Sequence, residues 1–140
     1  MQSFWLALQF LTRLPTPAQG EIAAEQVGRS LLWYPLVGLL LGAILWIGAL
    51  VLQGQEVLLA AAVLLTLWVA LTGALHLDGL ADSADAWIGG MGDRERTLAI
   101  MKDPTSGPVG VTAVVLLLLL KFTALAALLR AGDVLVLLLI

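Results

Sequence analysis

Long uncharged stretches dominate the chain and predict membrane-spanning helices. No charged residue lies between Arg29 and Glu56, or between Glu56 and Asp78. Within the first stretch, residues 31–52 form a helix long enough to cross the hydrocarbon of a bilayer, roughly 30 Å thick. The second apolar run covers 57–75, after a short polar turn. We expect these two segments to form an antiparallel helical hairpin.

The remaining apolar segments are less regular. Residues 109–129 predict a third membrane helix, interrupted by Lys121, and 130–133 read as a turn. The last run, 134–140, is too short to span. It is either the start of a further membrane helix, which would make the chain a fragment, or a tail packed on the other helices.

The N-terminal region, residues 1–29, predicts interfacial structure. Residues 4–14 are apolar but short, which favours a re-entrant or interfacial helix that ends at the two prolines of 14–17. Residues 18–29 are polar and predict a short surface helix with Glu21, Glu25 and Arg29 pointing outward.

Composition supports the membrane interpretation. Of 140 residues, 61% are hydrophobic and only 12% are charged, about half the usual charged share of a soluble domain. This excludes a soluble single domain, a disordered chain and a nucleic-acid binder, and the lack of cysteine excludes thiolate chemistry. The predicted fold is an all-α, polytopic membrane helix bundle in one domain. It has about three spanning helices, an N-terminal interfacial or re-entrant helix and a truncated C-terminal helix.

Basic residues predict the orientation of the bundle. Arg13 and Arg29 precede the first membrane helix, the turn after that helix has no Lys or Arg, and three basic residues follow the second helix. Because cytoplasmic loops are enriched in Lys and Arg, we expect the polar segment 76–108 to face the cytoplasm.

Segment 76–108 contains the candidate chemistry. Asp78, Asp82 and Asp85 lie within about 60° of one another on a helix, with Leu80, Ala84 and Trp87 on the opposite side, which is expected to pack. Three aligned carboxylates repel one another and need a counter-charge. Oxygen ligands without cysteine favour Mg²⁺ or Mn²⁺ over zinc. The alternative is a solvated acidic face at the end of a membrane helix.

Other polar residues of this segment are also candidates for the site. His76 is expected to be a general base, a metal ligand or a hydrogen-bond donor to phosphate, or else a structural residue that caps the helix end. Arg94, Arg96 and Lys102 clamp phosphate oxygens or mark the cytoplasmic side. Asp103 is a candidate fourth metal ligand.

Two further candidate features follow Asp103 along the chain. Gly107 and Gly110 form a loop whose amides are candidates for approaching phosphate, although Pro and Gly are also common before a membrane helix. Lys121, inside an apolar run, either faces a cavity and pairs with an anion or snorkels to the interface.

The motif Thr72-Gly73-Ala74-Leu75-His76-Leu77-Asp78-Gly79-Leu80-Ala81-Asp82-Ser83-Ala84-Asp85 closely resembles the signature of the cobalamin synthase family, the adenosylcobinamide-GDP ribazoletransferases. Segments 10–15, 34–38 and 94–110 fit that family in the same order. Alanine follows Asp85 where family members often have glycine, and the Thr105-Ser106 stretch is less basic than the family pattern. Family members also continue through further membrane helices.

The resemblance implies a Mg²⁺-dependent, multi-pass enzyme of the inner membrane. It would join α-ribazole, or its 5′-phosphate, to adenosylcobinamide-GDP and release GMP, a phosphotransferase-type reaction. The roles implied are metal binding by Asp78, Asp82, Asp85 and Asp103, and phosphate binding by Arg94, Arg96 and Lys102. Proton transfer would fall to His76 or one of the aspartates.

Three other classes remain as alternatives. One is an enzyme similar to CDP-alcohol phosphotransferases, whose aspartate spacing differs. The second is a subunit of a cation-coupled transporter, and the third is a non-catalytic assembly subunit. Glycines in the membrane helices allow close helix contacts and therefore a homo-oligomer.

Overall fold

The computed structural model describes residues 2–18, 20, 22–103 and 105–139, and the regular structure in these ranges is helical. The α-helices are α1 Gln2–Leu11, α2 Ala24–Ser30, α3 Tyr34–Val51, α4 Val57–Thr72, α5 Leu75–Gly90, α6 Arg94–Ile100 and α7 Pro108–Ala131. Short 3-10 helices cover Leu31–Trp33 and Val134–Leu139.

Two continuous helical stretches are long and apolar enough to cross a membrane. They are Ala24–Val51, which joins α2 and α3, and Pro108–Ala131, which is α7. Helices α4 and α5 pass the same test only as a pair and are bent by 84° at the break between them, so they count as a broken span or a re-entrant loop. The prediction of an all-α membrane helix bundle with about three spanning helices is therefore confirmed, with two continuous spans and up to three if the bent pair counts as one.

The chain forms two compact units, one containing residues up to Gly73 and from Ala124 onward, the other Ala74–Thr123. In the first unit, Ala7 and Leu8 of α1 pack in one buried cluster with Val37 and Leu41 of α3. The short N-terminal helix is thus held by burial of small and aliphatic side chains, which is the main favourable term in its docking.

The C-terminal apolar run packs within the first unit. Leu137 is fully buried, and the 3-10 helix that carries it contacts α3. A Cβ atom at Gly42 would lie 2.9 Å from Leu138 Cα and would clash with the Leu137 carbonyl oxygen. Glycine at position 42 therefore permits close backbone contact between α3 and this apolar run.

Several predicted boundaries shift. The N-terminal helix is Gln2–Leu11 instead of 4–14, and the polar helix is Ala24–Ser30 instead of 18–29. Of its predicted outward residues, Glu25 and Arg29 form an exposed ion pair of 2.8 Å, whereas Glu21 lies outside the described residues.

The second apolar helix ends earlier than predicted. It stops at Thr72 instead of reaching residue 75, because Gly73 and Ala74 both take left-handed backbone conformations, with φ of 61° and 60°. A left-handed residue ends the helical hydrogen-bond ladder and is costly for alanine. Arg13 lies against this turn, where a Cβ at Gly73 would come within 2.6 Å of its side chain.

Candidate functional site

Helix α5 of the second unit carries the three predicted aspartates. Its first turn is closed by the amides of Leu77 and Asp78, which donate to the Ala74 carbonyl oxygen at 2.8 and 3.0 Å. Asp78 is exposed, and Asp82, one turn later on the same side, is partly buried. These two carboxylates project from adjacent turns of a single rigid helix.

The packing side of α5 differs from the prediction. We expected Leu80, Ala84 and Trp87 to pack, yet Trp87 is 83% exposed. Helix α6 instead contacts α5 at Gly89 and Gly90, where an added Cβ would meet the side chains of Ile100 and Thr97. Gly89 lies four residues after Asp85 and therefore on the aspartate side of the helix, whereas Leu80 and Ala84 on the opposite side are only partly buried.

Asp85 is bound by protein backbone. The Gly107 amide donates to Asp85 Oδ2 at 2.7 Å, and the Gly110 amide donates to Asp85 Oδ1 at 2.8 Å. The sequence interpretation in which these two glycine amides approach a phosphate is therefore wrong, because a carboxylate of the chain already accepts both N–H groups.

Asp103 is also engaged locally. The backbone amide and the hydroxyl of Thr105 donate to Asp103 Oδ1 at 2.9 and 2.6 Å. These hydrogen bonds, the side-chain one first, hold the pKa of Asp103 below its ordinary value because they favour the charged carboxylate. These hydrogen bonds thus favour the ionised form of Asp103 and connect its side chain to Thr105.

The four predicted metal ligands are not gathered into one cluster. Among the described residues, no group of three His, Asp or Glu side chains is arranged to hold a metal ion. Asp78 and Asp82 nevertheless fit Mg²⁺, because this ion typically takes one or two carboxylates and fills its remaining positions with water and substrate phosphate.

His76 and Lys121 form the least expected contact. Lys121 Nζ lies 3.0 Å from His76 Nε2, and both side chains are partly buried. An ammonium group only donates, so Nε2 accepts and the ring proton of the neutral imidazole is on Nδ1. Lys121 therefore contacts a histidine of the motif instead of a carboxylate.

The basic residues of the segment are exposed and spread along α6. Arg94 and Arg96 lie in its first turn, where Asp93 caps the helix by accepting from the amides of Glu95 and Arg96 at 2.9 and 3.2 Å. Lys102 follows the last turn and is also exposed. Their side chains are available to an anionic ligand but are not gathered at one point.

Two features of the site could not be predicted from the sequence. The Asp85–glycine contacts join residues more than twenty positions apart, and Lys121 is 45 residues from His76. Neither pairing has a local sequence signal.

Comparison with known proteins identifies a matching family and several similar proteins. Residues 3–140 match the family model described as cobalamin-5-phosphate synthase. The adenosylcobinamide-GDP ribazoletransferase of Pseudomonas putida (strain F1) is 63% identical over 132 residues, which is 94% of this chain and 55% of that protein. Proteins of the same name from Ectopseudomonas mendocina (strain ymp) and Pseudomonas aeruginosa (strain PAO1) are 62% and 63% identical over 91% and 95% of this chain, covering 53% and 54% of their own lengths.

The chain thus spans about half the length of the curated relatives it matches. No solved structure matches it significantly.

Proposed function

This chain belongs to the cobalamin-5-phosphate synthase family, and we propose that it carries the metal-binding carboxylates of a membrane transferase. This transferase joins α-ribazole, or its 5′-phosphate, to adenosylcobinamide-GDP and releases GMP. The observation that carries this proposal is the pair of neighbouring carboxylates on α5, within a motif that resembles the family signature. The names of the relatives support the substrates.

The reaction breaks one phosphoanhydride bond and forms one phosphate ester bond. A ribazole hydroxyl oxygen attacks the phosphorus attached to cobinamide, and GMP leaves with the bridging oxygen. Charge accumulates on the phosphoryl oxygens as this happens. Mg²⁺, when bound, would neutralise that charge and that of the departing phosphate.

The residues of the chain have separate parts in this proposal. Asp78 and Asp82 hold the metal, and one of them takes the proton of the attacking hydroxyl. His76, which contacts Lys121 and lies two residues before Asp78, contributes to phosphate binding or to proton transfer. Arg94, Arg96 and Lys102 bind phosphate from the surface of α6.

We place this chemistry on the cytoplasmic side of the inner membrane. The support is the distribution of basic residues, since Arg94, Arg96 and Lys102 follow the second apolar helix and no Lys or Arg lies between α3 and α4. A protease-accessibility assay on inside-out and right-side-out vesicles tests this, with cleavage in the α6 region expected from the cytoplasmic side only.

The test of function needs a protein of the family's full length. We define the completed protein as this chain followed by the remaining part of the P. putida relative. In lipid vesicles it is expected to release GMP from adenosylcobinamide-GDP and α-ribazole only with Mg²⁺. Asp78→Asn and Asp82→Asn should each lower the rate at least about 100-fold, the scale of removing a group that acts in the transition state.

Glu25→Gln is the matched control, because Glu25 is a carboxylate paired with Arg29 on the exposed surface of α2. It should leave the rate unchanged. Full Mg²⁺-dependent turnover by Asp78→Asn and Asp82→Asn together would refute the assignment of the carboxylate pair.

A further inference from the structure

Asp85 holds the beginning of α7. Helix α7 starts at Pro108, and the Val111 amide donates to the Gly107 carbonyl oxygen, so Gly107 is the residue that caps the helix. The two amides that donate to Asp85, those of Gly107 and Gly110, belong to this first turn. Asp85 therefore acts as an N-cap supplied from another helix, and its negative charge lies at the positive end of the α7 dipole.

Backbone fills the space around the Asp85 carboxylate. A Cβ atom at Gly107 would lie 2.6 Å from Asp85 Oδ1, and one at Gly110 would clash with Asp85 Oδ2 and lie 2.8 Å from the Ala81 carbonyl oxygen. Two glycines are thus needed to bring the α7 start this close. Each oxygen of the Asp85 carboxylate already accepts one backbone N–H, so Asp85 is engaged by the chain itself, a contact that neither Asp78 nor Asp82 makes within the part of the chain that the structure describes.

The same contacts hold the start of α7 beside the acidic helix. Gly110 lies against Ala81, the residue before Asp82, and at about 1.5 Å of rise per residue Asp82 is only one turn from Asp85. The position of the α7 start therefore depends on the turn of α5 that carries the proposed metal ligand Asp82.

We propose that Asp85 is a positioning residue: its carboxylate fixes Gly107 and the start of α7 on α5, and metal binding falls to Asp78 and Asp82. This rests on the proposed function for its metal part, and it divides the aspartates of the motif into one structural and two ligand-binding groups. It differs from the expectation, drawn from the family resemblance, that all three bind the metal.

Hydrogen exchange of this chain in detergent micelles tests the structural half directly. Asp85→Ala removes both acceptors, so exchange at the Gly107 and Gly110 amides should accelerate by roughly tenfold or more. Asp82→Asn should leave these amides protected. Gly110→Ala should also expose them because its Cβ has no room, whereas Gly79→Ala, with nothing within 4 Å of its Cβ, should not.

Metal binding tests the other half, with Mn²⁺ as a paramagnetic probe detected by electron paramagnetic resonance. Asp78→Asn and Asp82→Asn should weaken Mn²⁺ binding roughly tenfold or more, and Asp85→Asn should change it less than about threefold. The conservative Asp85→Glu should recover part of the amide protection.

Unchanged exchange at Gly107 and Gly110 in Asp85→Ala would overturn the proposal. So would a loss of Mn²⁺ binding in Asp85→Asn as large as that in Asp82→Asn while the amides stay protected. A completed protein that releases no GMP, yet shows the exchange pattern above, would count against the transferase and support the role of Asp85.

Discussion

Replacing Lys121 by methionine separates stability from chemistry. Lys121 sits near the middle of α7, a helix apolar enough to span a membrane, and its Nζ lies 3.0 Å from His76 Nε2. A lysine at the centre of a membrane helix is unfavourable by about 2.5–3.5 kcal/mol. A hydrogen bond to a charged group returns roughly 1.5–3 kcal/mol. Because these terms nearly cancel, Lys121→Met should leave the thermal midpoint within a few degrees.

Activity should respond differently. If the positioning of His76 by this hydrogen bond contributes its roughly 1.5–3 kcal/mol in the transition state and not in the bound ground state, its loss lowers kcat by roughly 10- to 150-fold, since 1.36 kcal/mol is a factor of ten. The effect should fall on kcat more than on KM, and Lys121→Arg should restore part of it. Leu120→Met, at a 67% exposed neighbour, is the control and should change nothing.

A spectroscopic readout makes this prediction independent of turnover. His76 is the only histidine of the chain, so ¹⁵N-histidine labelling reports one imidazole. At neutral pH the wild type should show the proton on Nδ1, and Lys121→Met should shift the ring toward the other tautomer. An unchanged tautomer and unchanged kcat in a folded Lys121→Met protein would refute the reasoning.

Two further outcomes concern the fold. Gly42→Ala should destabilise the chain by about 1–3 kcal/mol, because the added Cβ meets the backbone of Leu138. Gly28→Ala is the control, since its Cβ lies in open space and should not change the stability. Chemical denaturation in detergent compares the two variants, and equal free energies of unfolding would contradict the packing of residues 137–138 on α3. Glu56 accepts the Leu59 amide at the start of α4, and this bond lowers the Glu56 pKa. Because the pKa is lower in the folded chain, ionised Glu56 stabilises the fold at pH values above the ordinary carboxyl pKa, and this contribution is lost as the pH falls through the lowered pKa. Glu56→Gln should therefore make the free energy of unfolding depend less on pH in the acid range.

The helices of the chain could be predicted largely from its apolar runs. Two of these runs, residues 31–52 and 109–129, have the length and hydropathy of a membrane helix regardless of what surrounds them. The structure has helices in both regions. The end of α4 was placed too late because the turn at Gly73 and Ala74 interrupts the helix without interrupting the apolar pattern.

The candidate site was predictable only where the information is local. The i, i+4 spacing of Asp78 and Asp82 determines that they share one face of a helix. The partners of Asp85 do not follow from spacing, since Gly107 and Gly110 reach it through the fold. The exposure of Trp87 has the same origin, because α6 packs on the aspartate side of α5 and this preference is not encoded in α5 itself.

The most direct test of the proposed transferase is the ratio of GMP released to cobalamin formed. The completed protein in lipid vesicles, given adenosylcobinamide-GDP and α-ribazole, is expected to form one GMP for each cobalamin, only when Mg²⁺ is present. Asp82→Asn should abolish both products together. GMP and cobalamin formation that proceeds equally without Mg²⁺, or in the Asp82→Asn protein, would contradict the central claim that the carboxylate pair on α5 serves a metal-dependent transferase.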